Sequence, residues 1–153
     1  MAQRFAKTIQ TALLVLFCLS LSISVLVSDA QFTASHVKQE AVAPTSQYLD
    51  FVFFRASFPN AFQGNEASHM HDVAWLLRCA PILALISALL LARFTRRNEW
   101  ASITSLTLSA LSVIGLIAII APFDAVFRIF HIIFFPQGNW TFPIDSTLIS
   151  FYP

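Results

Sequence analysis

At 153 residues the chain has the length of one domain, but 57% of it is hydrophobic and only 11% charged, where soluble domains carry about 25% charged residues. A mean hydropathy of +0.71 and three glycines exclude a disordered tail and a fibrous repeat. The net charge of +1 leaves no basic footprint for nucleic acid. Cys18 and Cys79 both lie in apolar runs, against a disulfide framework or a cysteine zinc site. The composition is that of an integral membrane protein, read as one membrane domain over 1–153.

The first apolar run, Ile9 to Ser28, is long enough to cross a hydrocarbon core of about 20 helical residues. Only a helix satisfies its backbone in lipid. Ser28-Asp29-Ala30 loosely resembles a small-x-small cleavage site. The run is long for a signal peptide, so we read it as a retained span. Bulky Phe17 before Cys18 argues against a lipobox, and so against the chain being a lipoprotein itself. Ser20, Ser22 and Ser24, like Ser109 and Ser112 later, are small polar residues of the kind that mark helix packing.

Residues 29–72 form the first extracytoplasmic segment. Its polar part, 29–47, contains Pro44 and His36 and reads as a flexible connector with an exposed histidine. Residues 48–63 are rich in Phe beside Arg55, which suits the headgroup boundary, with a short strand over 50–55. Glu66-Ala67-Ser68-His69-Met70-His71-Asp72 then leads into the second span, Val73 to Ala92. Ser68 is a reasonable N-cap, and Glu66 favours a helix start. With the helix begun by Ser68, His69 and Asp72 share a face, and His71, Trp75 and Arg78 share the next. Arg78 lies nearly two turns below His71, where it either snorkels to the headgroups or pairs with an acid such as Asp124.

Arg93, Arg96 and Arg97 fill the turn before the third span, Ala101 to Ala121. With Arg4 and Lys7 they place the N-terminus and this turn in the cytoplasm. Every acid except Glu99 then falls outside, leaving 122–153 as the second extracytoplasmic segment. It opens with an interfacial helix over 123–135, on which Asp124, Arg128, His131 and Phe135 line up opposite Phe123, Phe127, Phe130 and Phe134. The tail that follows has turn signals at Pro136, Gly138 and Pro143, and Trp140 is an interface anchor. The expected fold is all-α: three transmembrane helices (about 9–28, 73–92 and 101–121), an outer interfacial helix and extracytoplasmic loops.

His69, His71 and His131 converge at one membrane surface, beside acids at helical spacing. Imidazole titrates near neutrality and can take a proton and return it. Ser68 lacks a nucleophile-elbow context, so acid–base chemistry without a covalent protein intermediate is the natural reading. Glu66, Asp72 and Arg78 are supporting candidates.

His69-Met70-x-Asp72-Val73 opens a span. Phe130-His131-x-x-Phe134-Phe135-Pro136-x-Gly138-Asn139-Trp140 follows, then Asp145-x-x-Leu148-Ile149-x-x-Tyr152-Pro153. Over 48–153 this pattern resembles the bacterial lipoprotein intramolecular transacylase family. The resemblance implies an enzyme of the outer leaflet, with diacylated lipoproteins and membrane lipids as partners. It would move an acyl chain from the glyceryl sn-2 oxygen to the α-amine of the lipid-bearing cysteine, without a metal or cofactor. It implies His69 and His131 as the catalytic pair, with Asp72, Asn139 and Trp140 in support, Asn139 or a protonated histidine facing the oxyanion. His71 falls at a variable place and receives no role.

Family members continue into a further span, whereas this sequence stops at Pro153. A truncated relative, a shortened active form, or a homo-oligomer or second subunit completing the bundle would each accommodate that departure. Two other readings compete: an outer-face metal site of His69, His71, Asp72 and His131, and a non-catalytic membrane subunit. The metal reading needs His71 as much as the other two histidines, whereas the transacylase reading tolerates its loss.

Overall fold

A computed structural model describes residues 2–29, 32 and 35–152. Among the described residues the elements are α1 (Ala2–Ser28), α2 (Val42–Val52), α3 (Gly64–Phe94), α4 (Trp100–Ile120), α5 (Phe123–Phe134) and α6 (Thr147–Phe151), with a 3-10 turn at Gln39–Ala41. No strand forms among the described residues. Three helices, α1, α3 and α4, are long and apolar enough to cross a membrane. The chain is an all-α membrane protein, as its hydropathy predicts.

Three expectations for the first loop are corrected. The strand expected over 50–55 is instead the end of α2 at Val52 and the turn after it, and the connector is helical from Val42. Pro44 is compatible with that helix because it sits in the first turn, where a missing N–H breaks no intrahelical bond. Tyr48 and Val52, one turn apart, give α2 a buried face. Ser68 is not an N-cap: Gln63 O already accepts from Glu66 N and Ala67 N, so α3 starts a turn earlier. Gly64 makes that start possible with φ of 54°, a backbone conformation that costs glycine little.

Contacts divide the chain into two compact units, one of residues up to Ser22 with Ala80–Phe127, the other of Ile23–Cys79 with Arg128 onward. In the first, Gln10 of α1 is buried and donates to Phe94 O at 3.0 Å. Its amide also reaches Glu99 Oε2 at 3.4 Å. The Glu99 carboxyl also accepts from the Arg96 backbone N–H, which lowers its pKa below the usual carboxylate value. Of the serines expected to mark helix packing, Ser20 is buried. Ser22 and Ser109 face outward and donate to carbonyls one turn back, at Cys18 and Ser105.

The second unit has its own aromatic core. Tyr48, Val52, Phe62, Met70 and Ala74 are buried, and Phe51, Phe58, Leu148, Phe151 and Tyr152 pack against them. This core binds α2 and α6 to the first turns of α3. Cys18 and Cys79 are free, and the His36 side chain is exposed as expected.

Candidate active site

The site is assembled in the second unit by the N-terminal turns of α3, the last turn of α5 and the loop 135–146. His69 and His131 are both buried, at 5% and 7% exposure. Their ring centroids lie 5.6 Å apart with planes inclined by 31°. Helical spacing decides which histidines meet. On α5, His131 is the buried residue, while Asp124 and Arg128 of the expected polar stripe are exposed. Phe135, just past the helix and almost fully buried, contacts both rings at 4.7 and 5.3 Å.

The loop after α5 turns at Gly138, whose φ of 78° suits glycine. Gly138 N donates to Phe135 O at 3.1 Å. That turn carries Asn139 and Trp140 to the histidines. Trp140 lies 5.1 Å from the His131 ring, and Phe142 lies 5.7 Å from His69. The Asn139 amide donates to Asp72 Oδ2 at 2.7 Å and to Ser68 Oγ at 3.2 Å. Gln137 donates to the same Asp72 oxygen at 2.7 Å. A carboxylate held by two amides is a strong anchor for a loop, because its bonds are charge-assisted.

His69 Nδ1 and Asn139 Oδ1 are both buried without completing a hydrogen bond. The two N–H groups of Asn139 are already directed at Ser68 and Asp72, so this amide has no hydrogen to spare for an oxyanion. In this structure Asn139 ties the loop to α3 through Asp72 and Ser68.

Glu66 holds the far end of the loop. Its Oε1 accepts from Leu148 N at 3.1 Å, in the first turn of α6. Ser146 caps the same helix, accepting from Ile149 N at 3.3 Å. Tyr152 and Thr45 share a 2.7 Å hydrogen bond that closes α6 onto α2. Tyr48 donates to Met70 O at 2.8 Å, next to His69 in the chain. Burial raises the pKa of the Tyr48 hydroxyl, so it remains a donor.

Arg78 takes neither of its expected courses. It donates to Val52 O at 3.0 Å and Phe51 O at 2.7 Å, and lies over the rings of Phe51 and Phe54 at 4.6 and 4.1 Å. The end of α2 explains the fit. Arg55 N bonds Asp50 O and Phe54 N bonds Phe51 O, a Schellman closure with Phe54 at φ of 60° where glycine is usual. The closure brings the last carbonyls of α2 and the Phe54 ring to one guanidinium.

The metal reading is corrected. The His71 ring is stacked on Phe58 at 4.2 Å, edge-on to Phe51 at 5.2 Å. It is exposed and lies against the outer side of the aromatic core, on a different face of α3 from His69. Among the described residues no three His, Cys, Asp or Glu side chains are placed to hold a metal ion. Gln137, α2 and Phe142 were not anticipated from the sequence, whereas Phe135 was placed in line with His131 there. Gln137 had a signal, since it lies within the aromatic Pro-Gly-Asn-Trp stretch.

The sequence model of the lipoprotein intramolecular transacylase Lit matches residues 45–153. The matched stretch contains every residue of the site. No curated protein and no solved structure matches the chain.

Proposed function

The chain belongs to the lipoprotein intramolecular transacylases, and from that premise we propose the reaction, its catalytic pair and the side of the membrane on which it runs. The substrate is a diacylated lipoprotein in the outer leaflet. The nitrogen of its N-terminal cysteine attacks the sn-2 ester carbonyl. A C–N bond forms, the bond from that carbonyl to the glyceryl oxygen breaks, and one proton passes from nitrogen to oxygen. The product is an N-acylated lyso isomer of the same mass.

The observation that supports this reading is the buried His69–His131 pair, 5.6 Å apart. An α-ammonium has a reference pKa of about 7.7–8.0 and must lose a proton before it can attack. One neutral imidazole takes that proton, which is later released to solvent, and the other takes the second proton that nitrogen loses on forming the amide and passes it to the departing alkoxide. A proton on His69 Nδ1 has an acceptor in the unfilled Asn139 Oδ1, a tautomer that leaves Nε2 as the base. With the Asn139 hydrogens committed, a protonated imidazole is the donor for the tetrahedral oxyanion. Donor and acceptor belong to one molecule, so holding the amine against the carbonyl is the larger part of the task. Phe135, Phe142 and Trp140 confine the rings for that purpose.

The test is to express the chain and its His69→Ala, His71→Ala and His131→Ala variants in cells making a reporter diacyl-lipoprotein. The N-terminal lipopeptide is then read by fragmentation mass spectrometry, because intact masses are equal. We expect N-acylated lyso product from the unaltered chain and from His71→Ala, and none from the other two variants. Product that persists without His131, or disappears with His71 alone, would refute the assignment.

A further inference from the structure

Beside the histidines is a cavity of about 230 Å³ lined by Asp72, Trp75, Leu76, Phe134, Phe135 and Gln137. Its one charged group is Asp72. The carboxylate's partners are the amides of Gln137 and Asn139, both on Oδ2, and no cation pairs with it among the described residues. An anion set among aromatic walls, hydrogen-bonded by two amides and electrostatically coupled to the His69 imidazole, is a seat for a cation. Trp75 contributes an indole that is 68% exposed, and an indole face attracts ammonium groups. Tryptophan left this bare at the rim of a cavity has a surface available to a ligand.

We infer that Asp72 and Trp75 form the seat of the substrate's primary α-ammonium group before that group is deprotonated. The inference rests on the reaction proposed above and assigns the binding position of its nucleophile. The size agrees: 230 Å³ is the liquid volume of about eight waters at roughly 30 Å³ each. That is room enough for a cysteine α-carbon, its amine and the thioether. The position agrees as well. Asp72 follows His69 by three residues on α3, so the two side chains are neighbours on one helical face. Phe135 lines the cavity and also packs on the His69 ring at 4.7 Å. A proton leaving an ammonium at Asp72 therefore has His69 as an adjacent acceptor.

The experiment uses the purified full chain in detergent and two ether-linked diacylglyceryl-cysteine peptides, which cannot transfer an acyl group. One carries the free amine and the other has hydrogen in its place. The unaltered protein should bind the amine about tenfold tighter or more, the scale of a hydrogen-bonded charge. In Asp72→Asn that preference should collapse to within about twofold. Trp75→Leu, at an exposed side chain, should lower the preference about threefold. Equal affinity of the two peptides for the unaltered protein overturns the inference, as does a full preference retained by Asp72→Asn. Should Asp72→Asn bind neither peptide, Trp75→Leu decides: a reduced preference supports the seat and an undiminished one overturns it. Acyl transfer is scored separately with the ester-linked peptide. A protein that transfers acyl chains but ignores the amine refutes the seat alone, and one that binds the amine through Asp72 but transfers nothing refutes the reaction alone.

Discussion

Arg78→Met separates two physical accounts of a cation within an apolar helix by the sign of its effect. Had Arg78 been snorkelling into headgroups, methionine would stabilise the helix, since arginine costs about 2.5–3.5 kcal/mol at a bilayer centre and less near an end. In this structure the guanidinium donates to Phe51 O and Val52 O and covers two aromatic rings. Hydrogen bonds from a charged donor contribute about 1.5–3 kcal/mol each, and each cation–π contact about 0.5–1 kcal/mol. Set against the relieved insertion cost, the net loss is about 3 kcal/mol. For a chain of this size, at about 2–4 °C per kcal/mol, that corresponds to a fall in Tm of roughly 6–12 °C. Cys79 and Cys18 are free thiols in helices, so unfolding in detergent can be followed with a thiol-reactive dye. A Tm that holds or rises in Arg78→Met would refute the reasoning and restore the snorkelling account.

Two further substitutions probe the fastening of the loop. Glu66→Ala removes the acceptor for Leu148 N, so exchange of the Leu148 amide hydrogen should accelerate about tenfold, while Glu66→Gln, which keeps an acceptor oxygen, should leave it nearly unchanged. Equal rates in both variants would show that the bond does not order α6. Tyr48→Phe deletes the donor to Met70 O and should cost about 1 kcal/mol, read as a small fall in Tm; no fall would mean that the hydroxyl contributes nothing.

The three spans were legible because hydropathy over some twenty residues is a property of the segment and needs no partner. His69 and His131 were legible for a related reason: helical spacing and two short motifs put them at one level. Arg78 was not, because its acceptors lie 26 and 27 residues upstream, on a helix that sequence reading had dissolved into a connector and a strand. Pro44 and the run of Phe residues misled there. Proline disfavours a helix interior but is tolerated in the first turn, and aromatic residues suit strands yet serve equally as one face of a short helix. Ser68 failed as a cap because the capping preference describes frequencies at helix starts, whereas a glycine at positive φ let the helix begin sooner. The metal alternative failed on rotation: His69 and His71 are two residues apart, which on a helix points them to different faces.

The loop bearing Asn139 and Trp140 is fastened at both ends, to Asp72 near its start and, through α6, to Glu66 and Thr45 at its close. A segment held this way has no free hinge and is a poor gate. On the reaction proposed above, the flank of α5, where Phe130, Ile133 and Phe134 are exposed, is the side from which a lipid would approach. A lipid reaching the pair by that flank glides in sideways from the surrounding leaflet and never leaves its own two-dimensional solvent. Its arrival is governed by lateral diffusion, so turnover should follow the fluidity of the host bilayer.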